Sequence, residues 1–122
     1  MGQGAKVYVV DADCAVRESI SALLQTAGIA SRLFASPQAL LDAFDAADAG
    51  CVAAEMDGET GSGLHMLGAL RGRGHGVPVI LFSRLCDAGA KRRAKKAGAA
   101  ALLAKPTDPV EFIQLVRRLL AV

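Results

Sequence analysis

The chain has 122 residues, 52% of them hydrophobic, and a formal net charge of +2. That length suits one domain with a single core, and so small a net charge gives no general case for binding nucleic acid. With no Trp, one Tyr and four Phe, the core must be built mainly from Ala, Val, Leu and Ile.

The charge is uneven. The run KRRAKK at 91–96 holds five of the 14 basic residues, leaving nine against 12 acids elsewhere. Cys14, Cys51 and Cys86 form an odd, widely spaced set without a C-x-x-C, which argues against a disulfide framework or a zinc site and for a reducing cytoplasm. No apolar segment long enough for a signal peptide follows MGQGAK, and no stretch approaches membrane-spanning length. A cytoplasmic protein without membrane contact is expected.

In chain order, VYVV (7–10) is a continuous β-branched and aromatic run, as a strand covered on both faces requires. Val16, Ile20, Leu23 and Leu24 recur at helical spacing between about Ala15 and Ala27, and Gly28 follows as a stop signal. A weak strand near Arg32–Phe34 precedes Ser36-Pro37, an N-cap with proline at the first helical position, and Leu40, Leu41 and Phe44 supply that helix's apolar face. CVAA (51–54) reads as the third strand, running straight into Glu55 and a glycine-rich turn. Gly63 to Leu70 is a third helix, PVILF (78–82) the strongest strand, and Asp87 to Ala97 a fourth helix ending at Gly98. A short strand at AALLA and a last helix capped at Asp108-Pro109-x-Glu111 complete the series.

Five βα units in succession, with no linker, repeat or low-complexity stretch, predict an α/β fold: a single domain over 1–122 with a parallel sheet covered by helices on both faces. Ligands of such sheets bind outside the carboxyl ends of the strands. The residues that matter are therefore Asp11, Ala12 and Asp13 after the first strand, Glu55 at the third, Ser83 after the fourth and Lys105 after the fifth. No phosphate loop and no converging Ser, His and Asp or Cys and His set is visible, so an enzyme is not expected.

VYVVDAD, PVILFS and KKAGAAALLAKP, with the strand-end acid between them, stand in the order and at the separations of a known family. Nearly end to end, the chain resembles the CheY-like receiver domain of bacterial two-component response regulators, closest to those that carry a helix-turn-helix output domain. The resemblance implies a flavodoxin-like (βα)5 sheet in the order 2-1-3-4-5, a place in a phosphorelay or in transcription regulation, and no small-molecule substrate. It also implies an acidic pocket at Asp11 and Asp13, switch positions at Ser83, Lys105 and Pro106, a cis Lys105–Pro106 peptide, and Lys105 within ion-pair distance of Glu55 or Asp11.

Two departures bear on activity. The family's phosphoacceptor aspartate is Glu55 here, a register set by the downstream Ser62-Gly63; Asp57 lies two residues too late, and Glu59 replaces the usual loop proline. The second acid of the pocket, a magnesium ligand in the family, is Ala12; Asp13 is one residue on, and strand alternation would turn it away from the direction of Ala12. Magnesium demands near-ideal octahedral oxygens, so a degenerate magnesium site and no cofactor are expected. Phosphoryl transfer loses about 10²-fold for a displacement of about 1 Å, roughly one methylene.

The resulting expectation is a phosphorylation-independent receiver that acts as a signalling protein–protein interaction module. The rival is a receiver phosphorylated on Glu55 or Asp57 that controls transcription through an output domain. Glu55 either holds an active-like state with Lys105 and Ser83 or merely pairs with Lys105; Ser83 is either a relic switch or a hydroxyl bonding nearby backbone. Cys51 is expected in the core, and His65 and His75 in solvent. Arg92 and Lys95, on the fourth helix, are positions that tend to be apolar in relatives. They are the candidate contacts for a protein partner or a second copy on the face of the fourth helix, fifth strand and fifth helix, a face the family commonly uses. A solvated basic helix is the simpler alternative.

Overall fold

The computed structural model describes residues 5–121. Its elements are β1 (Lys6–Val10), α1 (Cys14–Thr26), β2 (Ser31–Phe34), α2 (Pro37–Ala43), β3 (Ala49–Glu55), α3 (Gly63–Gly72), β4 (Val79–Ser83), α4 (Ala88–Ala97), β5 (Ala101–Ala104) and α5 (Pro109–Leu120). The strands form one parallel sheet in the order β2-β1-β3-β4-β5. This is the doubly wound, flavodoxin-like architecture expected from the sequence.

The central strands read as unbroken apolar runs because each side of the sheet is covered. Alternate side chains feed two cores. Tyr8, Val10, Val52, Ala54, Val79 and Leu81 pack with Leu40, Leu67 and Leu70 on one face. Val7, Val9, Cys51, Ala53, Ile80 and Phe82 pack with Leu24, Phe112 and Val116 on the other.

Local chemistry sets the helix boundaries. Ser36, Ser62, Asp87 and Asp108 each accept a backbone N–H in the first turn of α2, α3, α4 and α5. Gly98 closes α4 with φ of 90°, a conformation open to glycine at no steric cost. Three expectations change. β1 ends at Val10, so strand alternation does not govern Asp13; its carboxylate instead caps α1, accepting the Ala15 N–H at 2.9 Å. α2 stops at Ala43, and Phe44 beyond it packs against Tyr8 at 5.7 Å between ring centroids. His75 is half-buried rather than solvated, its ring 4.7 Å from that of Phe44, whereas His65 is exposed.

α3 begins against the end of β3. A Cβ on Gly63 would collide with the carbonyl oxygen of Glu55 and stand 3.2 Å from Leu81 Cδ2. Both neighbours are held by the sheet, so relief requires α3 to shift. Gly63→Ala is expected to destabilise the protein by about 1–3 kcal/mol through overpacking. Urea denaturation checks this as a lower midpoint with an unchanged slope.

Candidate functional site

Asp11 follows β1 directly and is the buried acid of the fold, 6% exposed. Its Oδ1 accepts the Asp13 N–H at 2.9 Å, and its Oδ2 accepts a hydrogen bond from Lys105 Nζ at 3.0 Å. Glu55, the last residue of β3, brings Oε1 to 3.5 Å from the same ammonium. Lys105 follows β5, its N–H donating to the Ser83 carbonyl at 3.0 Å, and the Lys105–Pro106 peptide is cis. Three strand ends thus converge on one cation, with all three side chains largely shielded from solvent. An unpaired buried carboxylate is costly, and the ammonium relieves Asp11 of that cost.

The remaining site residues are arranged differently. The Ala12 side chain offers no ligand atom, and Asp13 is exposed and engaged at the start of α1. Asp57 sits in the loop with its carboxylate 3.8 Å from Arg93 of α4, and Glu59 is exposed. Ser83 Oγ donates to the Leu85 carbonyl at 3.0 Å and accepts the Leu85 N–H at 3.2 Å, so its hydroxyl serves its own loop. These side chains line an open cavity of about 480 Å³ above Glu55. Among the described residues no group of three His, Cys, Asp or Glu side chains is placed to hold a metal ion.

Arg92 and Lys95 lie exposed on α4, whose buried side is made of Ala90 and Ala94. Cys51 is fully buried, and burial pushes its thiol up to about 12. Cys14 is exposed, with Sγ 3.6 Å from Glu18 Oε2. No helix among the described residues is long and apolar enough to cross a membrane. Arg17 is a contributor that sequence reasoning missed. Its guanidinium donates to the Asp11 carbonyl at 2.7 Å and the Ala12 carbonyl at 3.2 Å, fixing the turn that carries the buried acid. An arginine one turn into a helix looks like any other surface cation, and only the fold reveals its reach.

A doubly wound parallel sheet with a buried acid, a strand-end carboxylate and a shared lysine at its carboxyl edge defines a signalling receiver class. The family model of the response regulator receiver domain matches residues 7–117. The chain belongs to that family. It is 38% identical over 117 residues to the transcriptional regulatory protein FixJ of Azorhizobium caulinodans, covering 96% of this chain and 56% of that protein. It is 34% identical over 120 residues to the transcriptional regulatory protein TdiR of Thauera aromatica, covering 98% and 53%. The chain therefore spans about half the length of these curated relatives. Among solved structures, a response regulator receiver protein from Pseudoalteromonas atlantica superposes with a TM-score of 0.86 at 26% identity, covering 94% of this chain and 96% of that one.

The geometry makes Lys105 the partner on which Asp11 depends. Lys105→Met leaves a buried carboxylate without its cation and is expected to cost about 2 kcal/mol in urea unfolding. Asp11→Asn added to Lys105→Met should recover part of that loss, a coupling that a double-mutant cycle measures.

Proposed function

We propose that this chain is the receiver module of a transcription-controlling response regulator, and that its strand-end position, Glu55, does not run a phosphorylation cycle. The first part is supported by family membership and by the two relatives named as transcriptional regulatory proteins. The second is carried by one observation: Glu55 and Asp11 share the Lys105 ammonium beside Ala12. A divalent metal in this pocket would have to draw Asp11 away from Lys105, and the Ala12 side chain provides no oxygen to help. The donor set does not fit magnesium, which needs several oxygens in octahedral array. We read Asp57, in the loop beside Arg93, as too far along the chain to replace Glu55. Ser83, bonded to its own loop, lends no support to a state held by a Glu55–Ser83 contact.

A second reading keeps the phosphoryl cycle, with Glu55 or Asp57 as acceptor. The named relatives favour it over a free-standing interaction module, and the strand-end carboxylate and the lysine it needs are both present. Incubation with acetyl phosphate and magnesium separates the two. Intact mass measurement is expected to show no species heavier by about 80 Da, the mass of an added phosphoryl group. A stoichiometric, acid-stable and base-labile adduct would establish the second reading.

The partner-binding part of the proposal rests on α4. Its sequence AGAKRRAKKA has five cations and no acid. Two copies meeting through α4 would set five positive charges against five, so an acidic protein surface fits this face better than self-association. Arg92→Glu with Lys95→Glu leaves Ala90 and Ala94 in place and should preserve the fold. The double variant is expected to slow association with an acidic partner by about tenfold or more at low salt, with the difference shrinking as salt is added. Recovery of the same partners by wild type and variant from the native host would reduce α4 to a solvated surface.

A further inference from the structure

A second cavity, of about 700 Å³, lies between α1 and α5 and is larger than the one over Glu55. Its wall on α1 is Val16, Ile20 and Leu23, all only half-buried although they form that helix's apolar stripe. Its floor is Phe82 and Phe112, with ring centroids 5.7 Å apart and exposures of 4% and 2%. Ala15 and Ser19 of α1 and Pro109 of α5 line it as well.

Four polar side chains line the groove: Ser19, Arg84, Lys105 and Thr107. Lys105 is held by Asp11 and Glu55, and Thr107 Oγ1 donates to the Ala104 carbonyl at 3.1 Å. Arg84 is exposed, makes no ion pair among the described residues, and stands between this groove and the acidic cavity over Glu55, lining both. The groove thus offers an apolar slot, one uncommitted guanidinium and one free hydroxyl.

We infer that the α1–α5 groove binds a small amphipathic carboxylate, with its apolar body over Phe82 and Phe112 and its anionic group on Arg84. The volume lies within the roughly 300–1,000 Å³ of small-molecule sites, which are mostly apolar with a few placed polar groups. A guanidinium matches a carboxylate with two parallel hydrogen bonds. This inference goes beyond the signalling role proposed above and requires nothing of Glu55.

The test uses the full chain and two fluorescent probes, anionic 8-anilinonaphthalene-1-sulfonate and neutral N-phenyl-1-naphthylamine. Both should bind saturably at one site and be displaced by decanoate. Ser19 is exposed, so Ser19→Leu should fill the slot without unfolding the protein and weaken both probes by about tenfold or more. Arg84→Gln should weaken the anionic probe by about tenfold and the neutral one by less than about twofold. Urea midpoints near wild type would show that both variants are folded. Probe binding unaffected by Ser19→Leu would place the dyes elsewhere and overturn the site. Equal effects of Arg84→Gln on the two probes would overturn the assignment of a carboxylate ligand. Failure of decanoate to displace either probe, with displacement by a helical partner segment instead, would make the groove a protein interface.

Discussion

The site hangs on one ammonium shared by two carboxylates. Asp11 is buried against the end of β1, and Glu55 closes β3 beside it, so two negative charges meet where water is scarce. Lys105 comes from β5, three strand spacings from β1, or about 14 Å at about 4.8 Å per strand. Its side chain alone cannot span that distance. The segment after β5 must lean over the ends of β4 and β3 to deliver the cation, and the Lys105 N–H to Ser83 carbonyl bond marks where that path starts. The ion pair therefore ties the carboxyl edge of the sheet together from one end of its centre to its rim.

That arrangement determines what the pocket can do chemically. An ammonium neutralises charge without supplying an open coordination position, and both oxygens of Asp11 are already in use. A phosphoryl group arriving at Glu55 would compete for Lys105 with a buried acid whose carboxylate has no other ion pair among the described residues. The added methylene of glutamate carries its carboxylate outward from the strand end, towards the lysine. Glu55 meets the ammonium through Oε1 at 3.5 Å, so its pairing and any role as a phosphoryl acceptor would draw on the same carboxylate.

Much of the fold was legible in the sequence because β1 and β4 are short runs rich in β-branched residues and most helices begin at strong caps. VYVV and PVILF could hardly be anything but covered strands, and Ser36-Pro37 and Gly98 mark helix ends by steric rules alone. The meeting of Lys105 with Asp11 and Glu55 was legible only through the resemblance, since residues 94 and 50 positions apart carry no local signal of contact. Other features depended on which of several available partners a side chain met in the fold. The Ser83 hydroxyl took its own loop, Asp13 took the α1 N-terminus, and His75 took the Phe44 ring rather than water. The α1–α5 groove was not legible either. Val16, Ile20 and Leu23 look like an ordinary buried stripe, and only the spacing of two helices across the sheet shows that the stripe is half uncovered.

α4 is held in a different way from its neighbours. It buries two alanines, whereas α3 buries Met66, Leu67 and Leu70, and α5 buries Phe112 and Val116. At about 25 cal/mol per Å² of apolar surface, two methyl groups contribute little to docking the helix. Its order comes instead from its ends: the Asp87 carboxylate accepts the Ala90 N–H at 2.8 Å, and Gly98 closes the last turn next to Lys95 and Lys96. Those cations oppose the partial negative charge at the helix C-terminus. The exposed Arg93–Asp57 pair adds at most about 1 kcal/mol. A helix fixed by its caps and lightly attached to the core can move at small cost, and here it carries the densest positive charge of the chain. Among the described residues its side-chain ion pair to the loop after Glu55 runs through Asp57, so a shift of α4 would strain that pair.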